Sequence, residues 1–282
     1  MWTRQGGDRL VVPLLEEALA EVGEEATPLR SHLLARLAGA LRDERDPARR
    51  VEIGRLAVTT ARQTGDAASL AYALAGLCGA LHGIGAHEPR LEITRELRET
   101  ARQIGDKEHE FEAWIAEVMI YLERGAMPET RERLATISRL GDELRQPSHQ
   151  WFAFTNHALL ALHEGRFDDA EKLAEQGYEI GRRAEPDIAV ACHSLQLYEV
   201  RRQQGRHAEV YDLVATVARD NSARPVFRCA LARLALELGR LSEARQLRTS
   251  GGRLGLRDLL LERREDVSDL LIDDRLEHAL PH

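Results

Sequence analysis

The chain has 282 residues, 43% of them hydrophobic, 30% charged and 5% aromatic, enough apolar material for one or two buried cores and too much for a disordered tail. Its 39 basic and 47 acidic residues leave a net charge of −8, which argues against the clustered positive footprint of a duplex-binding protein, so direct nucleic-acid binding is not expected. No apolar run reaches membrane-spanning length, and MWTRQGGDRLVVPLLEEAL meets acidic residues too early for a secretory leader; the expectation is a cytoplasmic protein with no membrane partner.

In chain order, a leading helix is predicted over Leu10 to Val22, followed by units that repeat about every 40 residues. ARQTGD at 61–66 returns as ARQIGD at 101–106. The glycines of SRLGDE (Gly141) and YEIGRR (Gly181) are read in the same way, as closing a helix. Pro28, Pro147, Pro186 and Pro225 are expected to open first helices, and Pro47, Pro89 and Pro128 second helices, because a first-turn proline gives up an N–H that has no intrahelical partner. Short turns inside the units are marked by Gly85, Gly125, Gly165, Gly205 and Gly239, with Arg45 one step earlier. Between these marks, LLARLAGAL, WIAEVMIYL and ALLALHEGRF follow a period near 3.6, and no alternating strand pattern competes.

The predicted fold is all-α: about six antiparallel helical hairpins stacked into a right-handed solenoid over residues 1–250. The leucines of GLRDLLLERREDVSDLLIDDRLEHAL, in 251–282, are spaced for a C-terminal helical cap.

FAFTNHALLALHEGRFDDAEKLAEQGYEIGRRAE resembles a tetratricopeptide repeat, with Ala158, Gly165, Phe167, Ala170 and Gly177 at the small and turn positions. LARLALELGRLSEARQL is similar through Ala232, Gly239 and Ala244. Tyr198, Val210, Arg90 and Thr130 stand where that family prefers Ala or Gly. Over roughly residues 10–250 the longer pitch resembles the tetratricopeptide sensor region of bacterial LuxR-type and MalT-like ATPase regulators. No ATPase is expected in the chain itself. Its only lysines are Lys107 and Lys172, neither within the Gly-Lys-Ser/Thr of a phosphate loop.

The resemblance implies a concave wall built from the first helix of each hairpin. It places His32, Arg42 and Asp43 near one end, then Tyr72 and His82, then Glu112, Ile115 and Met119, then Phe152, Thr155, Leu159 and His163, and finally Leu195, Glu199, Arg202 and Arg233. Ile115, Met119, Phe152, Leu159 and Leu195 would form an apolar floor edged by Asn156, either open to a partner helix or small apolar effector or covered by neighbouring helices or the tail.

The function this implies is a non-catalytic sensor or adaptor scaffold for a protein or peptide partner or a small effector, in transcriptional or signalling regulation. The alternatives are a metabolic enzyme using His82, His163, Tyr72 or Glu112 as acid and base, and a self-associating fragment of a larger regulator, with homodimers through its repeat ends. No cofactor or metal is expected: Cys78 and His82 are only two ligands, and Cys192 and His193 face different ways on a helix. The three cysteines read as small buried hydrophobes and Trp114 and Trp151 as core. Glu108, Glu110 and Glu112, like Asp168 and Asp169, read as complements to helix dipoles.

Overall fold

A computed structural model of the protein describes residues 11–43, 46–83, 87–221 and 225–249. Among them every regular element is helical. The predicted cap over 251–282, the turn at Gly85, the position of Arg45 and the side chain of Asp43 lie outside the described residues. None of the described helices is long and apolar enough to cross a membrane.

The chain divides into two compact units, Met1–Gln204 and Gly205–His282. The first holds ten helices among its described residues: α1 (Val11–Val22), α2 (Pro28–Ala40), α3 (Pro47–Thr64), α4 (Ala67–Ala80), α5 (His87–Ile104), α6 (Lys107–Glu123), α7 (Met127–Leu144), α8 (Pro147–His163), α9 (Phe167–Ala184) and α10 (Pro186–Gln203). The second holds a 3-10 turn (His207–Val210), α11 (Tyr211–Asp220), α12 (Pro225–Glu237) and α13 (Leu241–Thr249).

The literal repeat has a local physical meaning. Gly65 and Gly105 adopt left-handed φ of 68° and 71° at the ends of α3 and α5. The next residue, Asp66 or Asp106, caps the following helix: Asp66 accepts from Ser69 N at 2.9 Å, and Asp106 from Glu108 N at 3.1 Å and His109 N at 3.0 Å. ARQTGD and ARQIGD therefore each end one helix and start another. The prolines behave as predicted, opening α2, α3, α8, α10 and α12 and standing second in α7. The same reading fails for Gly141 and Gly181. Both are buried inside helices that run on to Leu144 and Ala184, so neither is a terminator.

In the first unit each helix packs on the next, and α2 also packs on α4, α4 on α6, and α8 on α10. Alanine lets these helices approach closely: Ala35, Ala57, Ala61, Ala71, Ala73, Ala101 and Ala113 are buried at their crossings. Larger side chains fill the remaining space in two clusters, one around Leu34, Leu74, Leu77 and Leu97 and one around Phe111, Ile137, Trp151, Phe152 and Leu160. Each fully buried Leu, Ile or Phe stabilises the fold by roughly 1.5–3 kcal/mol. In the second unit Val210, Val214, Val217, Phe227, Leu231 and Leu234 are among the buried residues.

One departure from a small residue at the repeat positions, Arg90, is explained by what a long side chain reaches, and Arg50 reaches in a similar way. Arg50 Nε donates to the carbonyl of Ala80 at 3.0 Å, and its Nη1 donates to the carbonyl of Arg42, satisfying acceptors at two helix ends. Forty residues on, the buried Arg90 makes a two-pronged pair with Glu123 at the end of α6.

Candidate functional site

A cleft of about 220 Å³ lies between α2, α4 and α6. Its floor is made of residues with almost no side chain: Ala35 and Gly39 from α2, and Ala75, Gly76 and Gly79 from α4. Gly76 is required by packing, since a Cβ there would stand 2.9 Å from Ala35 Cβ and 3.2 Å from its Cα. Gly39 and Gly79 are different. A Cβ on either would meet nothing within 4 Å, and neither has the positive φ that favours glycine. Both weaken a helix relative to alanine by up to about 1 kcal/mol, and what they leave is open space above the floor.

The walls are polar and oppositely charged. Arg36 comes from α2 and Arg42 from the 3-10 turn that follows it; Glu108, His109 and Glu112 come from α6; Tyr72 stands between them on α4. The Tyr72 phenol is raised above the ordinary tyrosine value, first by burial, with Arg36 opposing and Glu112 adding to it. It therefore remains a neutral hydroxyl that can both donate and accept. Its ring lies 4.5 Å from that of His32, and 5.9 Å from that of His109 in an edge-on arrangement. His109 is held by Asp106, whose Oδ2 is 2.6 Å from Nδ1. Burial alone would raise the Asp106 carboxyl; hydrogen bonds from His109 and Glu108 and the neighbouring imidazole outweigh it and hold the group below the ordinary carboxylate range. One cap residue thus starts α6 and also orients a ring on the cleft wall.

Of the described wall residues expected from the sequence, Tyr72, Glu112 and Arg42 line this cleft and the others, Asp43 aside, do not. His82 follows the end of α4 beside a separate void of only about 20 Å³, lined also by Cys78, Arg90 and Ile120. Burial pushes the Cys78 thiol up to about 12, so it is not a nucleophile near neutral pH. Phe152, expected in an apolar floor, is buried in the core with Phe111 and Trp151, and Ile115 packs on the same cluster. Burial there is favourable because the facing helices supply apolar partners on all sides. Met119, Leu159 and Leu195 are half-buried.

Thr155 gives its carbonyl to Gln196 Nε2 at 2.7 Å, and the buried Asn156 turns its amide back onto the carbonyl of Phe152 at 2.8 Å. His163 is exposed at the end of α8. Glu199 pairs with Arg202 at 3.2 Å. Arg233 pairs with Glu237 at 3.3 Å in the second unit.

Arg36, Gly39, Gly76, Gly79 and His109 were not expected in a site. The available signal was glycine inside the apolar helices LARLAGAL and ALAGLCGA, with Gly39 and Gly79 one repeat apart.

A second charged cluster lies on the other side of α6. Glu117, 3% exposed, is gripped by Arg98 of α5 and by Arg133 of α7, the latter at 3.3 Å. Arg98 lies 4.4 Å from the centre of the Trp114 ring and Arg133 4.5 Å from that of Tyr121. Trp151 is core as expected, and Trp114, half-buried and packed against the same apolar cluster, is also a platform for arginine. The charged cluster ties three helices together. Among the described residues no three His, Cys, Asp or Glu side chains come together as metal ligands would.

Comparison of the chain with protein-family models and with curated proteins returns no match to either.

Proposed function

We propose that the protein is a helical-repeat binding scaffold, a tetratricopeptide-like right-handed solenoid that holds a small ligand in the cleft between α2, α4 and α6 and serves as a sensor or adaptor in transcriptional or signalling regulation. The observation that carries this reading is the pair Gly39 and Gly79. Both lie within the last turn of a helix, with no packing or conformational need for glycine, and both open onto a floor walled by Arg36, Tyr72 and Glu112. Helix stability given up to keep a concave, polar-walled space empty is what a binding site requires. The 40-residue repeats and the packing of α2 on α4 and α4 on α6 support the scaffold part of the reading.

The test is native mass spectrometry of the protein isolated from its own cells, set beside its denatured mass and beside a Gly39→Leu/Gly79→Leu variant. The leucines point into open space and raise helix propensity, so the variant is expected to fold with unchanged helicity. The wild type should carry a non-covalent mass of small-metabolite size, and the variant should lose it. A bare wild-type chain, or an added mass that the variant keeps, would overturn the cleft as the binding site.

A further inference from the structure

Resting on the reading of this cleft as a ligand site, we infer that its ligand is a small zwitterion, a free amino acid or a dipeptide, rather than an anion, a cation or a segment of another protein. The charge layout points this way. Arg36 belongs to the α2 side and Glu112 to the α6 side, and the Tyr72 phenol between them feels both charges, in opposite senses. Arg42 and Glu108 also line the cleft, so two cations and two carboxylates border it.

A ligand with one charge would gain on one wall and be repelled at the other while displacing water from both, and burial of a polar group without a partner is costly. A carboxylate directed to the arginines and an ammonium directed to the glutamates satisfies both walls at once. Arg36, Arg42 and Glu112 each already interact within the protein, and Glu108 accepts from Gln146 Nε2 at 2.7 Å, so the ligand's two ends add to contacts the walls already make.

Size gives the second argument. A cleft of about 220 Å³ is of a size for a small metabolite such as an amino acid or a dipeptide. The backbone of a protein terminus carries only one of the two charges, and that of an internal peptide segment carries neither. The ligand's body would lie over Gly39 and Gly79 and against the Tyr72 ring, which favours an aliphatic or flat side chain.

The experiment is a thermal-shift screen of the full chain with each of the twenty protein amino acids and with L-alanyl-L-alanine. Isothermal titration of the best compound follows, beside its N-acetylated and its carboxamide forms. The expected result is binding of the free zwitterion, with at least tenfold loss on blocking either end; the amino acids and the dipeptide are the arms that separate the two sources. In a Glu112→Gln variant the penalty for N-acetylation should shrink severalfold while the carboxamide penalty persists, a pattern that a merely structural role for Glu112 would not produce.

Equal binding of blocked and free forms overturns the inference. So does the absence of binding by every compound when native mass spectrometry shows a retained ligand of another kind, and in that case the cleft reading stands. If no mass is retained and no compound binds, both fail.

Discussion

Gly181 of α9 lies directly against the indole of Trp151 on α8: a Cβ at 181 would stand 2.6 Å from Trp151 Nε1 and 2.8 Å from Ala189 Cβ. In YEIGRR this glycine looks like punctuation, yet the helix passes through it, and its function is to let a bulky core ring approach the α9 backbone. Gly141, at the equivalent place forty residues earlier, would bring its Cβ no closer than 3.7 Å to His149 or Phe111.

The two glycines should therefore respond in opposite directions. Gly181→Ala overpacks Trp151 and is expected to cost about 1–3 kcal/mol, with a shift in tryptophan emission. Gly141→Ala meets only ordinary van der Waals contact and is expected to gain up to about 1 kcal/mol from helix propensity. Urea denaturation of both variants checks the pair; equal losses would show that the close approach at 181 is not what requires glycine.

Glu117 is the buried anion between Arg98 and Arg133, whose side chains are 16% and 19% exposed. Glu117→Gln removes the carboxylate shared by two partly buried guanidinium groups, while Arg133 keeps Glu132 at 2.7 Å. The expected loss is about 2 kcal/mol, below the usual cost of breaking a fully buried pair because both arginines still reach solvent. Thermal denaturation measures it, and Trp114, lying under Arg98, supplies a local fluorescence signal.

Four histidines make stability fall on mild acidification. His82, His149, His157 and His193 all lie below the ordinary value of 6.5, in each case chiefly through burial; nearby carboxylates oppose it at His82, His149 and His193, and Arg166 adds to it at His157. A histidine with a depressed folded pKa binds protons more readily in the unfolded chain. Its contribution is fully present above about pH 6.5 and is lost as the pH falls through the folded value. The urea midpoint is expected to drop between pH 7.5 and 5.5. His157 accepts or donates at 2.8 Å to Ser138 Oγ, and His157→Gln should flatten part of that dependence. An unchanged slope would show that this residue is not one of the titrating groups.

Arg145 stands in the left-handed region with φ of 54°, at the helix end where the two earlier repeats have Gly65 and Gly105. Left-handed geometry costs a side chain about 1–2 kcal/mol, and glycine returns part of that through its larger unfolded-state freedom. Arg145→Gly is expected to raise stability by about 0.5 kcal/mol, and Gly105→Ala to lower it by about 1 kcal/mol, both measurable by chemical denaturation.

Much of the local structure was legible from residue order alone. A first-turn proline, a capping aspartate and a glycine at positive φ act within a few residues of themselves, so the helix borders at Pro28, Pro47, Gly65, Asp66, Gly105 and Asp106 could be read without knowing what surrounds them. The all-helical class followed from the same signals and the 3.6-residue period. What Gly181, Phe152, Gly39 and Gly79 do could not be read this way. Each depends on side chains supplied by another helix: Trp151 against Gly181, the Phe111 cluster around Phe152, and the absence of any neighbour over Gly39 and Gly79. Periodicity tells which face of a helix is apolar. Whether that face is filled or left open is set by the sizes of residues about forty positions apart, and only packing brings those together.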